Sequence, residues 1–167
     1  ANPLADMMLD RILADLPFNR GDEVCLLVND LGSTTMMELL IVNRTAEKAC
    51  QLAAEFVDIG PVEGGAYALI GDRAFDLVIN ATSAGLSGEM PHLSGTVLTE
   101  RSCCYDMIYA AQPTAFMRWA AHHAAWAVAD GLGMLVEQAA QSFYIWRGVR
   151  PHTGPVIRQI RESLAAA

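Results

Sequence analysis

Thr34-Thr-Met-Met-Glu-Leu-Leu-Ile-Val-Asn-Arg-Thr-Ala-Glu-Lys48 is the stretch whose reading decides the fold. Ile and Val at 41 and 42 favour a strand locally, though only weakly. Upstream, Glu23–Asn29 holds the continuous run Val24-Cys-Leu-Leu-Val28, the pattern of a strand buried on both faces of a parallel sheet. If Ile41 lay in a strand parallel to Val28, the twelve residues 29–40 would have to make the whole crossover. The loop takes about five of them, leaving a helix from Thr34 to Leu40 that rises only about 10 Å. A strand of five or six residues spans about 17–20 Å, so the return path is too short. A continuous helix from Thr34 to about Phe56 meets no such difficulty. No Gly or Pro interrupts residues 35–56, and Met37, Ile41, Lys48, Leu52 and Phe56 fall near one stripe. Arg44 and Lys48 then form an outward-facing pair four residues apart. The sequence predicts one long helix, which removes Asn43 and Arg44 from any strand tip.

Around that helix the chain alternates strands and helices. Ala1–Leu16 reads as an amphipathic helix, with Leu4, Met8, Ile12 and Leu16 at helical spacing and Pro17 ending it. Gly21-Asp22 is a turn, and Asp30–Thr34 a loop ending in a helix N-cap. Strands are expected near 23–28, 57–63, 75–80 and 103–108. Helices are expected at Thr114–Ala124, at Leu132–Trp146 and at Pro155–Ala165. In the second of these, Leu132, Leu135, Val136, Ala139, Phe143 and Trp146 share a face. The pattern is that of an α/β doubly wound sheet, mainly parallel, of four to five strands with helices on both faces. Residues 1–167 are expected to form a single domain.

Composition narrows the function classes. Eleven basic and nineteen acidic residues give a net charge of −8, a poor match to a nucleic-acid backbone. Hydrophobic residues make up 53% of the chain. Counted with Gly and without Tyr, the fraction is roughly 58%, against about 45–50% for an ordinary soluble domain. The longest apolar run, Trp119–Val136, contains His122, His123 and Asp130 and is rich in Ala, so it is not expected to span a membrane. Cys25, Cys50, Cys103 and Cys104 have unrelated spacings, which predicts free thiols and a cytoplasmic compartment. The excess apolar surface predicts a homodimer.

Several short motifs carry less than they first promise. Asn80-Ala-Thr-Ser-Ala-Gly85 approaches the G-x-S-x-G nucleophile pattern, but Ala81 stands where its first Gly belongs. It reads as a loop at the carboxyl end of a strand, where open α/β sheets bind ligands. Gly131-Leu-Gly133 has no expected strand before it and Val136 at the third Gly position, so it is no dinucleotide fingerprint. His122 and His123 are adjacent in a helix and point to different sides, so no metal site is expected there. Vicinal Cys103 and Cys104 read as small core residues, and His92 and His152 as loop residues.

Longer stretches carry a resemblance. Asn43-Arg-Thr-Ala-Glu-Lys-Ala49, Asn80-Ala-Thr-Ser-Ala-Gly-Leu86, Cys104-Tyr-Asp-Met-Ile-Tyr109, Asp130-Gly-Leu-Gly-Met-Leu-Val-Glu-Gln-Ala-Ala140 and Phe143-Tyr-Ile-Trp-Arg-Gly148 follow one another in order. From about residue 41 onward the chain resembles the NADP-binding half of shikimate dehydrogenase. The resemblance implies a three-layer Rossmann-like sandwich. It also implies that Asn43, Arg44 and Thr45, with Lys48, grip the cofactor's 2′-phosphate, for which a guanidinium fork and hydroxyl donors are suited. Ser83, Met107 and Gly131 are implied near the cofactor, and Tyr109 and Gln138 at the substrate.

The first forty residues depart from that family. Its Gly-Ala-Gly-Gly-Ala phosphate loop is replaced by Asn29-Asp-Leu-Gly-Ser-Thr34, and Asp30 would set a carboxylate near a pyrophosphate. The family's substrate domain, with its catalytic Lys and Asp, has no counterpart here. Instead Met8-Leu-Asp-Arg-Ile-Leu-Ala-Asp-Leu-Pro17, Gly21-Asp-Glu-Val24, Leu27-Val-Asn-Asp-Leu-Gly-Ser-Thr34 and Met37-Glu-Leu-Leu-Ile-Val42 resemble the substrate-binding subunit of dihydroxyacetone kinase. No His precedes His92, so that family's covalent substrate-binding His is missing. The two stretches meet inside Ile41-Val-Asn-Arg44 rather than at a linker. The sequence thus predicts an artificial chimera with no catalytic residues, no cofactor and no metal, its topology rearranged by the long helix and its parental NADP site broken. The alternative is a residual NADP(H)-binding module in which Arg44 keeps a strand tip and the Gly32-Ser-Thr34 helix start holds phosphate.

Overall fold

A computed structural model describes residues 24–27, 39–58 and 60–166. The expected helix at Ala1–Leu16, the Gly21-Asp22 turn, the Asp30–Thr34 loop and the first part of the expected long helix lie outside the described residues.

Strands β1 (Val24–Leu27), β2 (Leu39–Val42), β3 (Val62–Gly65), β4 (Leu77–Asn80), β5 (Cys103–Asp106) and β6 (Ala127–Asp130) form one sheet. Their order is β3-β2-β1-β4-β5-β6, and every pair is parallel. The described helices are α1 (Ala46–Glu55), α2 (Ala115–His122), α3 (Leu132–Arg147) and α4 (Thr153–Ala165). This is the doubly wound α/β arrangement, and its strand order reverses between β1 and β4.

The long helix does not form. Leu39–Val42 is a strand, pairing through Leu39, Leu40 and Ile41 with Val24, Cys25 and Leu26 of β1 and along its whole length with β3. The crossover estimate failed because it assumed strands of five or six residues. Each of these has four, so the chain must return only about 13 Å. Eleven residues, 28–38, connect β1 to β2. Burial supplies the driving force. Leu39, Leu40, Ile41 and Val42 are all buried, with successive side chains entering opposite layers. A helix could turn only part of this run inward.

Two further expectations change. The sheet has six strands rather than four or five, because β6 joins at the β5 edge and β2 forms between β1 and β3. Ala127-Val-Ala-Asp130 is only half-buried and Ala-rich, so neither length nor propensity announced it. The strand expected at 57–63 lies later, at Val62–Gly65. The sheet carries Gly64 there because a Cβ would collide with the Ala49 carbonyl of α1.

The sheet's two faces hold separate cores. Leu40, Val42, Val78 and Cys104 pack with Phe75, Phe116 and Ala120 on one side. Leu39, Leu77, Ile79, Cys103 and Tyr105 pack on the other, joined there by Met134 of α3. Ile41 meets Ala49 and Ala53 of α1. Cys103 and Cys104 are buried in these cores. The expected single face of α3 divides. Leu132, Val136 and Ala140 are buried, whereas Leu135, Phe143 and Trp146 are exposed. Among the described residues no helix is long and apolar enough to cross a membrane.

Candidate functional site

The carboxyl edge of the sheet carries Asn43, Asn80, Asp106 and Asp130 at or just beyond its strand ends. After Val42 the β2–β3 ladder continues by one bond, Asn43 N–H donating to the Gly65 carbonyl at 3.1 Å. Asn43 Oδ1 then accepts the Thr45 N–H at 3.0 Å, an Asx turn that bends the chain into α1. Arg44 sits exposed on this turn, and Lys48 follows in the first turn of the helix. Neither cation forms an ion pair among the described residues, whereas Arg73 and Arg161 each do.

Across from this turn, β4 ends at Asn80 and the chain enters a 3₁₀ turn at Ser83–Ser87. Between the two lies a cleft of about 700 Å³. Asn43, Arg44, Thr45 and Lys48 form one wall, Thr82, Ser83 and Ala84 another, and the loop Glu89–His92 closes it. Five residues singled out from sequence (Asn43, Arg44, Thr45, Lys48 and Ser83) therefore meet around one space. The expected loss of Asn43 and Arg44 from the strand tip is corrected, because β2 delivers both to the edge.

Met107, Tyr109, Gly131 and Gln138 do not line this cleft. Met107 packs against the Leu39–Tyr105 core, and Gly131 begins α3. A Cβ at Gly131 would collide with the Met107 carbonyl, so glycine permits the close approach of the chain after β5 to the start of α3. Tyr109 is exposed beyond β5, and Gln138 is half-buried on α3.

The β4, β5 and β6 tips carry Asn80, Asp106 and Asp130 in register. Asp130 accepts a two-point contact from Arg161 of α4, at 2.7 and 2.8 Å, and Asp130 Oδ1 also accepts the Leu132 N–H. Asp106 is fully buried. Its Oδ1 accepts from Asn80 Nδ2 at 3.2 Å and Ile108 N–H at 3.1 Å, and its Oδ2 from the Thr114 hydroxyl at 2.5 Å. Burial raises its pKa above the ordinary aspartate value, against the lowering effect of these three donors.

The cleft's Tyr67 and Glu89–His92 were not found as site residues from sequence, since loops far apart in the chain bring them together. Thr82 and Asp106 lie within the Asn80–Leu86 and Cys104–Tyr109 motifs but were given no role of their own. His122 and His123 sit edge to face with centroids 5.2 Å apart, and among the described residues no group of metal-ligating side chains forms.

Comparison with known proteins divides the chain in two. Residues 131–161 match the shikimate 5'-dehydrogenase C-terminal domain, and residues 1–68 match the Dak1 domain. The chain resembles two families. The NADP(+) shikimate dehydrogenase of Saccharophagus degradans is 52% identical over 132 residues, 75% of this chain and 48% of that protein. That of Thioalkalivibrio sulfidiphilus is 56% identical over 123 residues, 74% of this chain and 45% of its own length. The chain thus spans about half the length of the curated relatives it matches. Among solved structures, an Ael1 enzyme from Pseudomonas putida is 33% identical with a TM-score of 0.76, over 93% of this chain and 61% of that one. A Thermus thermophilus shikimate 5-dehydrogenase solved with NADP(H) and shikimate has a TM-score of 0.75 at 23% identity, covering 96% of this chain and 62% of its own, and shows likeness of fold. The Dak1 match runs to residue 68, past β2, α1 and β3, whereas the shikimate 5'-dehydrogenase C-terminal match begins at residue 131.

Proposed function

We propose that this sheet and its carboxyl-edge cleft form an NADP(H)-binding module of the shikimate dehydrogenase type. The observation that carries the reading is the pair of exposed cations, Arg44 and Lys48, without an ion pair among the described residues and facing a cleft with the hydroxyls of Thr45 and Ser83. Two exposed positive charges side by side suit a phosphate dianion, and a guanidinium offers it a two-point contact. Their place beside the strand-order reversal is where doubly wound sheets bind dinucleotides. The curated relatives, about half identical where they align, carry NADP(+) in their names.

The residues present fit the cofactor's adenosine 2′-phosphate end. Arg44 would hold the 2′-phosphate with Thr45, Lys48 would add attraction from the first turn of α1, and Ser83 would donate from the opposite wall. Glu89 lines the same cleft and repels an anion, which orients the phosphate toward the β2 turn. When bound, NADP(H) supplies a transferable hydride. Calorimetric titration of the full chain with NADPH and then NADH tests the reading. Saturable micromolar binding of NADPH, with NADH at least about tenfold weaker, is the expected result. No saturable heat with either nucleotide overturns it.

A further inference from the structure

The two most completely buried polar side chains at the carboxyl edge do not face the cleft, yet they are tied to its wall. Asn80 and Asp106 are both 0% exposed. Asn80 Nδ2 donates to Asp106 Oδ1, while Asn80 Oδ1 accepts the Thr82 N–H at 3.2 Å and the Thr82 hydroxyl at 2.8 Å. Thr82 lines the cleft and leads directly into Ser83. At the other end, Thr114 donates to Asp106 Oδ2 and accepts the Met117 N–H, capping α2. A hydrogen-bonded chain therefore runs from the start of α2 through β5 and β4 to the cleft.

Direction along this chain is set by one group. An ionised carboxylate only accepts, whereas an amide can present either its oxygen or its NH₂. Asp106 thereby forces the Asn80 amide to turn its NH₂ inward and its oxygen toward Thr82. With the opposite orientation, Asn80 would set NH₂ against the Thr82 N–H, two donors face to face, and the turn holding Ser83 would have to move. In a buried site such a mismatch is costly, because no water replaces the lost bond.

We propose that Asp106 is a positioning residue for the cleft, fixing through the Asn80 amide the conformation of Thr82 and Ser83 that receives the nucleotide. This rests on the cleft being the NADP(H) site, and the test separates the two ideas. Charge does not reach the cleft by this route; geometry does. Asp130, the neighbouring carboxylate on β6, is engaged by Arg161 and the Leu132 N–H and so does not compete for Asn80.

The experiment pairs NADPH titration of the full chain with amide hydrogen exchange at Thr82, read by NMR. Asp106→Ala is expected to weaken NADPH at least about tenfold and to speed Thr82 exchange by a similar factor. Asp106→Asn, which still offers an acceptor to Asn80 and Ile108, is expected to stay within about threefold of the parent in both. A purely stabilising Asp106 would lower the melting temperature but leave affinity and Thr82 exchange unchanged in the folded protein, and that result overturns the proposal. Should Asp106→Ala not fold, Thr114→Val decides. It lies outside the cleft lining and unanchors the carboxylate, so Thr82 exchange must quicken, and unchanged exchange overturns the proposal. If the parent binds no NADPH, the functional reading falls, while the Thr82 exchange measurements still decide the relay.

Discussion

The β2 side and the β5–β6 side of the same sheet edge treat charge in opposite ways. On the β2 side Arg44 and Lys48 stand exposed around a cleft, with no ion pair among the described residues. On the β5–β6 side Asp106 is buried among three donors, and Asp130, its side chain 8% exposed, is matched by Arg161. An exposed cation keeps its hydration and remains available to an incoming anion. A buried carboxylate must find its donors within the fold, because the cost of drying it is otherwise unmet. One side leaves its charges open to solvent; the other uses them to hold loops and helices in place.

This contrast can be broken by substitution, and the largest effect belongs to the closed side. Gly131→Ala sets a Cβ against the Met107 carbonyl, so urea denaturation is expected to show a loss of about 2–4 kcal/mol. On the open side, Arg44→Ala is expected to weaken NADPH by about tenfold or more while barely moving NADH or the melting temperature. A large fall in melting temperature would mean that Arg44 serves the fold after all. Arg161→Ala reverses that pattern. It leaves Asp130 unpaired and is expected to cost about 1 kcal/mol, discounted because the Arg161 side chain is 44% exposed, with NADPH affinity unchanged.

The smallest effect is a pH dependence. Burial raises the Asp106 pKa above 3.8, so its favourable contribution is complete below that pH and declines as pH rises through the raised value. Asp106→Asn cannot ionise. The melting temperature of the parent minus that of the variant should therefore fall as pH is taken upward from about 4. A difference that grows with pH would mean that the three donors outweigh burial.

Much of the architecture was legible along the chain. Val24–Leu27, Leu77–Asn80 and Cys103–Asp106 are apolar runs bounded by polar residues, and the structure makes each a strand. The helices at Ala115–His122, Leu132–Arg147 and Thr153–Ala165 lie close to the expected Thr114–Ala124, Leu132–Trp146 and Pro155–Ala165. Leu39–Val42 misled because four successive apolar residues suit a buried strand and a helix equally well. Five of the cleft residues were legible because Asn43–Lys48 and Ser83 sit in motifs. Glu89–His92 and the Asp106 relay were not, since their roles depend on neighbours that only the fold brings together, as with Asn80 and Asp106, 26 residues apart in the chain.

The amino-acid sequence by itself determined the alternation of apolar runs and helical stripes, and hence a parallel α/β sheet, because that pattern follows from local periodicity and burial. It also determined which cations and hydroxyls are present near residue 43. Tertiary structure decided that Ile41 and Val42 lie in the sheet, since β1 and β3 pair with the backbone on either side while the cores above and below the sheet bury the alternating side chains. With that choice Arg44 arrives at the sheet's carboxyl edge instead of on the outside of a helix. A short segment that satisfies two local rules equally is settled by the partners that can cover it.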